Sequence, residues 1–142
     1  MNAIPDKTLD AYRLAIYRVE GEPPIDMIVG KKNDAIAPLL TRHGVASAVF
    51  VTAFNPFGRE LSQDENTALQ KALIAQVQQS GRTALPGAGL DPDGAWTAEA
   101  SLLVLGADDH TADELMTAFK QNAVVIVQQD GVPRLRLHPR YR

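Results

Sequence analysis

Residues 49–66 read VFVTAFNPFGRELSQDEN and contain a strand-to-helix transition around which the rest of the chain is organised. The apolar run at residues 46–53 predicts a buried strand, because it is rich in the Val and Phe that favour an extended backbone. Ser62 and Glu65 have the spacing of a capping box, in which each side chain accepts the backbone N–H of the other residue. A helix is therefore predicted to begin at Ser62. A strand that passes through a short polar loop into a capped helix indicates an α/β or α+β protein.

The chain on either side of this stretch supplies the remaining elements. Apolar periodicity, capping residues and turn residues locate them. Upstream, the pattern predicts a helix at residues 6–12, strands at 13–19 and 25–29, and a helix at 33–43. Downstream, it predicts strands at 82–85, 96–105 and 123–127, a loop at 86–94, a helix that begins with a Thr111–Glu114 capping box, and a hairpin strand at 134–137.

The order of elements from residue 46 to residue 127 is strand, helix, strand, strand, helix, strand. This is the split order of ferredoxin-like proteins. We therefore predict an α+β protein, a two-layer sandwich with a ferredoxin-like βαββαβ core in which the strands at 46–53 and 96–105 are adjacent. The alternative is a three-layer α/β domain, in which the N-terminal helices cover the opposite face of the sheet.

Length and composition restrict the class of protein. The chain has 142 residues, enough for one domain with a substantial core. We expect N-terminal additions at 1–45, the βαββαβ core at 46–127, and a C-terminal hairpin strand with an Arg-rich tail at 128–142. Absence of cysteine excludes disulfides, thiol catalysis and cysteine-ligated metal. No apolar run is long enough for a membrane span and no signal peptide is evident, so we expect a cytoplasmic protein without a membrane partner.

Charge is distributed unevenly along the chain. The net charge is −3, but the last nine residues, RLRLHPRYR, contain four Arg and no acid. The preceding residues are therefore acidic overall, which argues against nucleic-acid binding. The alternation in the tail predicts a half-buried strand, with Leu135 and Leu137 inward and Arg134 and Arg136 in water. A tail that grips an anion or an acidic partner is the alternative interpretation.

Polar side chains cluster at the end of the strand at 46–53. Thr52 and Asn55 follow it directly, and Asn66 falls on the helix stripe that also carries Leu69 and Leu73. A buried amide needs partners for its donors and its acceptor. We therefore expect Asn66 to bond to the loop that contains Asn55, either as part of a ligand site or to brace that loop.

Glu99 is the strongest candidate for a functional charge. With period two, Glu99, Ser101 and Leu103 lie on one face of their strand, and Ala98, Ala100, Leu102 and Val104 lie on the other. A carboxylate among apolar neighbours loses water, which raises its pKa and suits it to acid–base chemistry. The alternative is a solvated or backbone-bonded Glu99. Gln121 and Asn122 are further ligand-binding candidates, although amides there also serve to end a helix.

Motifs for cofactors and metals are incomplete. The segment Gly87-Ala88-Gly89 lacks the third glycine and following helix of a dinucleotide site, and Gly30-Lys31-Lys32 lacks the glycine spacing of a P-loop. The three His residues do not have metal-ligand spacing. Asp108-Asp109-His110 is better explained as the entry to a helix, since acids are favoured at helix N-termini. We expect neither a cofactor nor a metal.

Three segments together resemble a bacterial family of small proteins that is catalogued only as a domain of unknown function. The segments are TAFNP with the later EN, GLDP leading to WTAEAS, and FKQNAVV, and they span residues 46–127. The resemblance implies a small bacterial cytosolic protein and supplies no mechanism. The residues that carry it include Thr52, Asn55, Asn66, Glu99 and Ser101.

Three functions are consistent with these observations. The first is an accessory or regulatory module that binds a polar small molecule or peptide through Thr52, Asn55, Asn66 and Glu99, since amides and hydroxyls suit recognition. The second is an enzyme with Glu99 as its general acid or base. The third is a protein-interaction module, including a homodimer, that pairs through an open sheet face or edge.

Overall fold

The computed structural model describes residues 3–142. Within that range the chain forms four α-helices and seven strands, with 3-10 turns at Pro56–Gly58 and Pro139–Tyr141. The helices are α1 (Asp6–Leu14), α2 (Ile36–Arg42), α3 (Gln63–Gln79) and α4 (Asp109–Phe119). The strands are β1 (Ile16–Val19), β2 (Ile25–Met27), β3 (Ser47–Val51), β4 (Ala84–Leu90), β5 (Glu99–Leu105), β6 (Ala123–Gln128) and β7 (Arg134–Leu137).

All seven strands join one antiparallel sheet in the order β2-β1-β4-β5-β3-β6-β7. β3 pairs with β5, so the predicted adjacency of these two strands is confirmed. The predicted two-layer ferredoxin-like sandwich is wrong, because the sheet is seven strands wide and curls into a half-barrel. β1 and β2 continue the sheet beyond β4, and β7 continues it beyond β6. Twist accumulates across so many strands, and a wide antiparallel sheet relieves it by curling.

Both faces of the central strands are buried. In β3, Ala48, Val49, Phe50 and Val51 are all buried without alternation, and β6 has a similar run. Side chains on one face pack with α3 and α4, and those on the other pack with α2 and with β1 and β2. A strand buried on both faces reads as a continuous apolar run. The continuous pattern at residues 46–53 was therefore the evidence against a two-layer fold.

The prediction of a loop at residues 86–94 is wrong for its first half. β4 runs through Pro86, Gly87 and Gly89, and Gly87 pairs with both β1 and β5. A Cβ on Gly87 would collide with the carbonyl oxygen of Arg18 and would lie 2.9 Å from a ring carbon of Phe50. Gly87 therefore allows the backbone of Arg18 and the ring of Phe50 to pack closely against β4. The glycine content of this segment had suggested a turn instead.

The two predicted helix starts had different outcomes. Ser62 and Glu65 form both hydrogen bonds of the capping box that opens α3, as predicted. The Thr111–Glu114 box is wrong, because Asp108 is the N-cap of α4 and its carboxylate accepts the N–H of Thr111. Asp caps helices as well as Thr, so the spacing alone could not choose between them.

The two arginines of the C-terminal strand differ in exposure. Leu135 packs against the core and Arg134 is exposed, as predicted. Arg136 is only partly exposed and pairs with Asp113 and Asp109 of α4, so its predicted solvation is wrong. β2 and β7 form the two edges of the sheet, where pairing with a second copy stays a prediction. None of the helices in residues 3–142 has the length and hydropathy needed to cross a membrane.

Candidate functional site

All seven residues predicted to bind a ligand line one cavity of about 790 Å³. The wall comes from α1, the end of β3 with the loop to α3, the loop at 91–98 with the start of β5, and the connection from α4 to β6. The predicted residues are Thr52, Asn55, Asn66, Glu99, Ser101, Gln121 and Asn122. Segments distant in sequence meet here because β3, β5 and β6 are neighbours in the sheet.

Asn55 and Asn66 form a closed pair of amides at the base of the loop. The backbone N–H of Asn55 donates to Oδ1 of Asn66 at 2.9 Å, and Nδ2 of Asn66 donates to Oδ1 of Asn55, also at 2.9 Å. The N–H of Leu61 donates to the same Oδ1 of Asn55 at 3.0 Å. Asn55 has a left-handed backbone, with φ of 49°, a conformation that Asn tolerates better than most residues. The loop is therefore braced by its own polar groups.

The backbone donors also determine which way each amide faces. A backbone N–H can only donate, so the atom of Asn66 that meets the N–H of Asn55 must be the oxygen. The same reasoning fixes the oxygen of Asn55 against the N–H of Leu61. Nδ2 of Asn55 is then the atom that faces Glu99, and it donates to Oε2 of Glu99 at 2.9 Å. The loop thus presents a donor to the carboxylate.

Glu99 is the charged group of this cavity that is withdrawn from water. Burial raises the pKa of the Glu99 carboxyl, and the hydrogen bond from Asn55 opposes part of that increase. No ion pair among the described residues includes Glu99. The carboxylate therefore has a neutral donor on one oxygen and no cation beside it.

Thr52 and Ser101 are bonded mainly to backbone. Oγ1 of Thr52 donates to the carbonyl of Ala100 at 2.7 Å and accepts the N–H of Phe54 at 3.1 Å. The hydroxyl of Ser101 donates to the carbonyl of Glu99 at 2.9 Å. These bonds hold the end of β3 against the start of β5 and so position Glu99.

Gln121 and Asn122 connect the α4–β6 turn to the rest of the wall. Nε2 of Gln121 donates to the carbonyls of Phe54 and Phe119, each at 3.1 Å. Asn122 bonds to the hydroxyl of Tyr12 in α1 at 3.1 Å and to that of Tyr141 at 2.6 Å. Gln121 therefore ends α4, as one interpretation predicted, whereas Asn122 ties α1 and the C-terminal turn to the cavity.

Five aromatic side chains of the described residues line the cavity, and the sequence did not identify them as part of the site. They are Tyr12, Tyr17, Phe50, Phe54 and Trp96. Tyr17 meets Phe50 edge to face at 5.4 Å, and its hydroxyl donates to the carbonyl of Tyr12 at 2.6 Å. Burial raises the pKa of the Tyr12 hydroxyl, and the charge of Glu99 adds to that increase. Trp96 was assigned to a strand but belongs to the loop before β5, where it is 36% exposed.

The cavity has the groups for recognition and for one proton transfer. Across residues 3–142 no three of His, Cys, Asp and Glu come together as metal ligands. Asp108 caps α4 and Asp109 lies near Arg136, so the Asp108-Asp109-His110 segment serves the helix start. The wall offers two carboxylates, the partly buried Glu99 and the exposed Glu60, together with several amides and hydroxyls and aromatic rings.

Comparison with known proteins gives one match. The model of a family described as "Protein of unknown function (DUF3293)" matches residues 51–124, which run from the end of β3 to the start of β6 and contain α3, β4, β5 and α4. Neither the curated proteins nor the solved structures include a significant match to the chain. The match spans more than half of the chain, which therefore belongs to this family, and it covers all seven of the predicted site residues.

Proposed function

We propose that this member of the family is an accessory or regulatory module that binds a small polar ligand in the cavity beside Glu99. One observation supports the proposal above the others: seven polar residues selected from three separate segments of sequence line a single cavity. Its volume of about 790 Å³ lies in the range of small-molecule sites. Amides, hydroxyls and a carboxylate on an aromatic wall are the usual composition of such sites.

The bracing of the site also supports recognition. The Asn55–Asn66 pair and the Thr52–Ala100 bond hold the wall through neutral hydrogen bonds. A site whose groups are fixed before the ligand arrives loses less entropy on binding. Nδ2 of Asn55 uses one N–H for Glu99, and its second N–H has no acceptor assigned within the described residues.

A ligand screen followed by NMR tests the proposal. Polar metabolite-sized compounds are added to isotope-labelled protein, and we expect binders to shift the signals of Thr52, Asn55 and Glu99 before those of distant residues. A ligand at 100 times its Kd should raise the free energy of unfolding by about 2.7 kcal/mol.

Two matched variants locate the binding. Ala98→Trp adds a ring at the cavity wall and should abolish binding, whereas Ala68→Trp adds the same ring on an exposed position of α3 and should leave it unchanged. Binders that map away from the cavity, or a screen without any binder, would count against the proposal.

An enzyme with Glu99 as general acid or base is the second candidate. The observation that favours it is a carboxyl whose pKa is raised by burial, with a polar partner at 2.9 Å, in a cavity large enough for a substrate. Incubation of each bound ligand with native protein and with Glu99→Gln distinguishes the two candidates. Conversion that is lost in Glu99→Gln supports the enzyme, and binding without conversion supports the module.

A further inference from the structure

The described residues that line the cavity include acids and no basic residue. Two of its lining residues are acids, Glu99 and Glu60, and none of those identified within residues 3–142 is Lys, Arg or His. Arg18 of β1, which pairs with Ala88 of β4, is held by Asp26 through two hydrogen bonds of 2.7 and 3.0 Å. The cavity therefore has negative charge without a basic group to balance it.

The location of Glu99 makes that imbalance costly. Oε2 accepts from Asn55, and Oε1 receives no hydrogen bond from the part of the chain that the structure describes. Removing a carboxylate from water is unfavourable unless a cation or several donors replace the water. Among the described residues no buried side-chain oxygen lacks a partner, so Oε1 reaches solvent, and a cationic ligand there would supply both a charge and donors.

The walls around Glu99 are of the kind that accepts an organic cation. Tyr12, Tyr17 and Trp96 line the cavity with Glu99, and the faces of such rings attract ammonium and guanidinium groups. Rings combined with a carboxylate bind alkylammonium ions through charge and through contact with their carbon atoms. The edge-to-face contact of Tyr17 with Phe50 and the Tyr17–Tyr12 hydrogen bond hold two of these rings in place.

An anionic ligand has no comparable partner here. In the described chain the starts of two helices lie beside the cavity, that of α3 through Leu61 and Gln63 and that of α1 through Thr8. At the start of α3 the capping box uses two donors, because Ser62 accepts the N–H of Glu65 and Glu65 accepts the N–H of Ser62. Phosphate and carboxylate groups would meet the charge of Glu99 in a wall whose described residues include no Lys, Arg or His.

We propose that the cavity recognises an organic ammonium group, with the Glu99 carboxylate as its counter-ion and the aromatic side chains around it. The inference rests on the proposed function, since it assumes that the cavity binds a small ligand. The amides and hydroxyls of Asn55 and Thr52 then serve the neutral polar part of the same molecule.

Three probes that share one skeleton and differ in charge test this inference. They are 2-phenylethylammonium, 2-phenylethanol and phenylacetate, at pH 7.5. Trp96 is the only tryptophan in the chain and lines the cavity, so its fluorescence reports binding at the site itself. We expect the ammonium probe to bind at least tenfold more tightly than the alcohol, and phenylacetate to bind more weakly than either.

Substitution of the two acids identifies the counter-ion. Glu99→Gln keeps the shape of the side chain and an acceptor for Asn55, and it should weaken the ammonium probe about tenfold while leaving the alcohol unchanged. Glu60→Gln removes the exposed acid of the same wall and should change binding by less than threefold. Thermal unfolding of both variants confirms that each is folded at the temperature of the titration.

Each outcome separates this inference from the proposal on which it rests. If the alcohol or phenylacetate binds as tightly as the ammonium probe, or if Glu99→Gln has no effect on the ammonium probe, the ammonium preference is wrong and ligand binding stands. If none of the three probes binds while the wider screen finds cavity ligands, the inference again fails alone. If neither experiment finds a cavity ligand, both fail.

Discussion

Asp113 and Glu99 are both partly buried carboxylates, and the groups that face them are opposite in kind. Asp113 on α4 meets Arg136 through two hydrogen bonds of 2.9 and 3.0 Å and meets Arg142 at 2.9 Å. The arginine guanidinium groups lower the pKa of Asp113 to about 2. Glu99 has one neutral amide donor, and burial raises the pKa of its carboxyl. The fold supplies counter-ions for one acid and none for the other.

Asp113 therefore has a structural role, whereas Glu99 has no cationic partner among the described residues. The Arg-rich C-terminal segment, which had suggested an anion-binding tail, uses Arg136 and Arg142 to attach β7 and the chain end to α4. A paired and charged Asp113 stabilises the fold at neutral pH. Burial of Glu99 without a cation opposes folding when its carboxyl is charged. Substitutions at Asp113 and Glu99 test this contrast, and substitution of Asn66 tests the loop whose Asn55 bonds to Glu99.

Asn66→Ala should have the largest effect on stability. Asn66 is 4% exposed and bonds to both the N–H and the side-chain oxygen of Asn55, so its removal leaves that N–H without its partner and takes one of two donors from the oxygen. Loss of about 2–3 kcal/mol in the free energy of unfolding is expected, measured by chemical denaturation. Thr67→Ala, at the next and exposed position of α3, is the control. A loss as small as that of the control would mean that the amide pair does not brace the loop.

Asp113→Asn should cost about 1–2 kcal/mol at pH 7, because the pair is partly screened by water. The folded pKa of Asp113 is lower than its ordinary value of 3.8, so its contribution is fully present above pH 3.8. The contribution is lost as pH falls from 3.8 to about 2. Denaturation of both proteins across this range should therefore show their difference shrink. Asp93→Asn, in an exposed loop, should show little difference at any pH, and a constant cost in Asp113→Asn would contradict the pairing.

Glu99→Gln should have the smallest effect, with the opposite sign. The folded pKa of Glu99 is raised, so its favourable contribution is present below its ordinary value of 4.5 and is lost as pH rises through the folded pKa. The Gln variant has no charge to bury, and its free energy of unfolding should exceed that of the native protein at pH 8 by something on the order of 0.5 kcal/mol. Denaturation at pH 4 and pH 8 measures this. A variant that is less stable at pH 8 would show that Glu99 has a stabilising partner after all.

Local sequence was sufficient for several features of the site. The capping box at Ser62 placed Asn66 on the buried stripe of α3, and period two placed Glu99 and Ser101 on one face of β5. Each depends on residues within a few positions of one another, where helix and strand geometry leave few choices. The family match over residues 51–124 covers this same part of the chain.

Contacts distant in sequence could not be obtained in that way. Pairing of β1 with β4 widens the sheet, and it depends on Gly87 admitting the backbone of Arg18, which no local pattern shows. Tyr12 and Trp96 belong to the cavity only because α1 and the loop at 91–98 fold over it. Asp108 is the N-cap of α4 in place of the predicted Thr111. Both residue types are good N-caps, so the local sequence could not distinguish between them.

Periodicity and capping act over a few residues. Sequence alone could therefore predict which polar residues lie at positions expected to be buried. It determined the strand at 46–53, the helix that follows it and the group of Thr52, Asn55, Asn66 and Glu99. The tertiary structure was needed to show that the sheet has seven strands and that both of its faces are covered. It was also needed to show that Glu99 lacks a cation in the described chain, whereas Asp113 has two. Burial and ion pairing are properties of surfaces brought together from distant segments, so they exist only once the chain has folded.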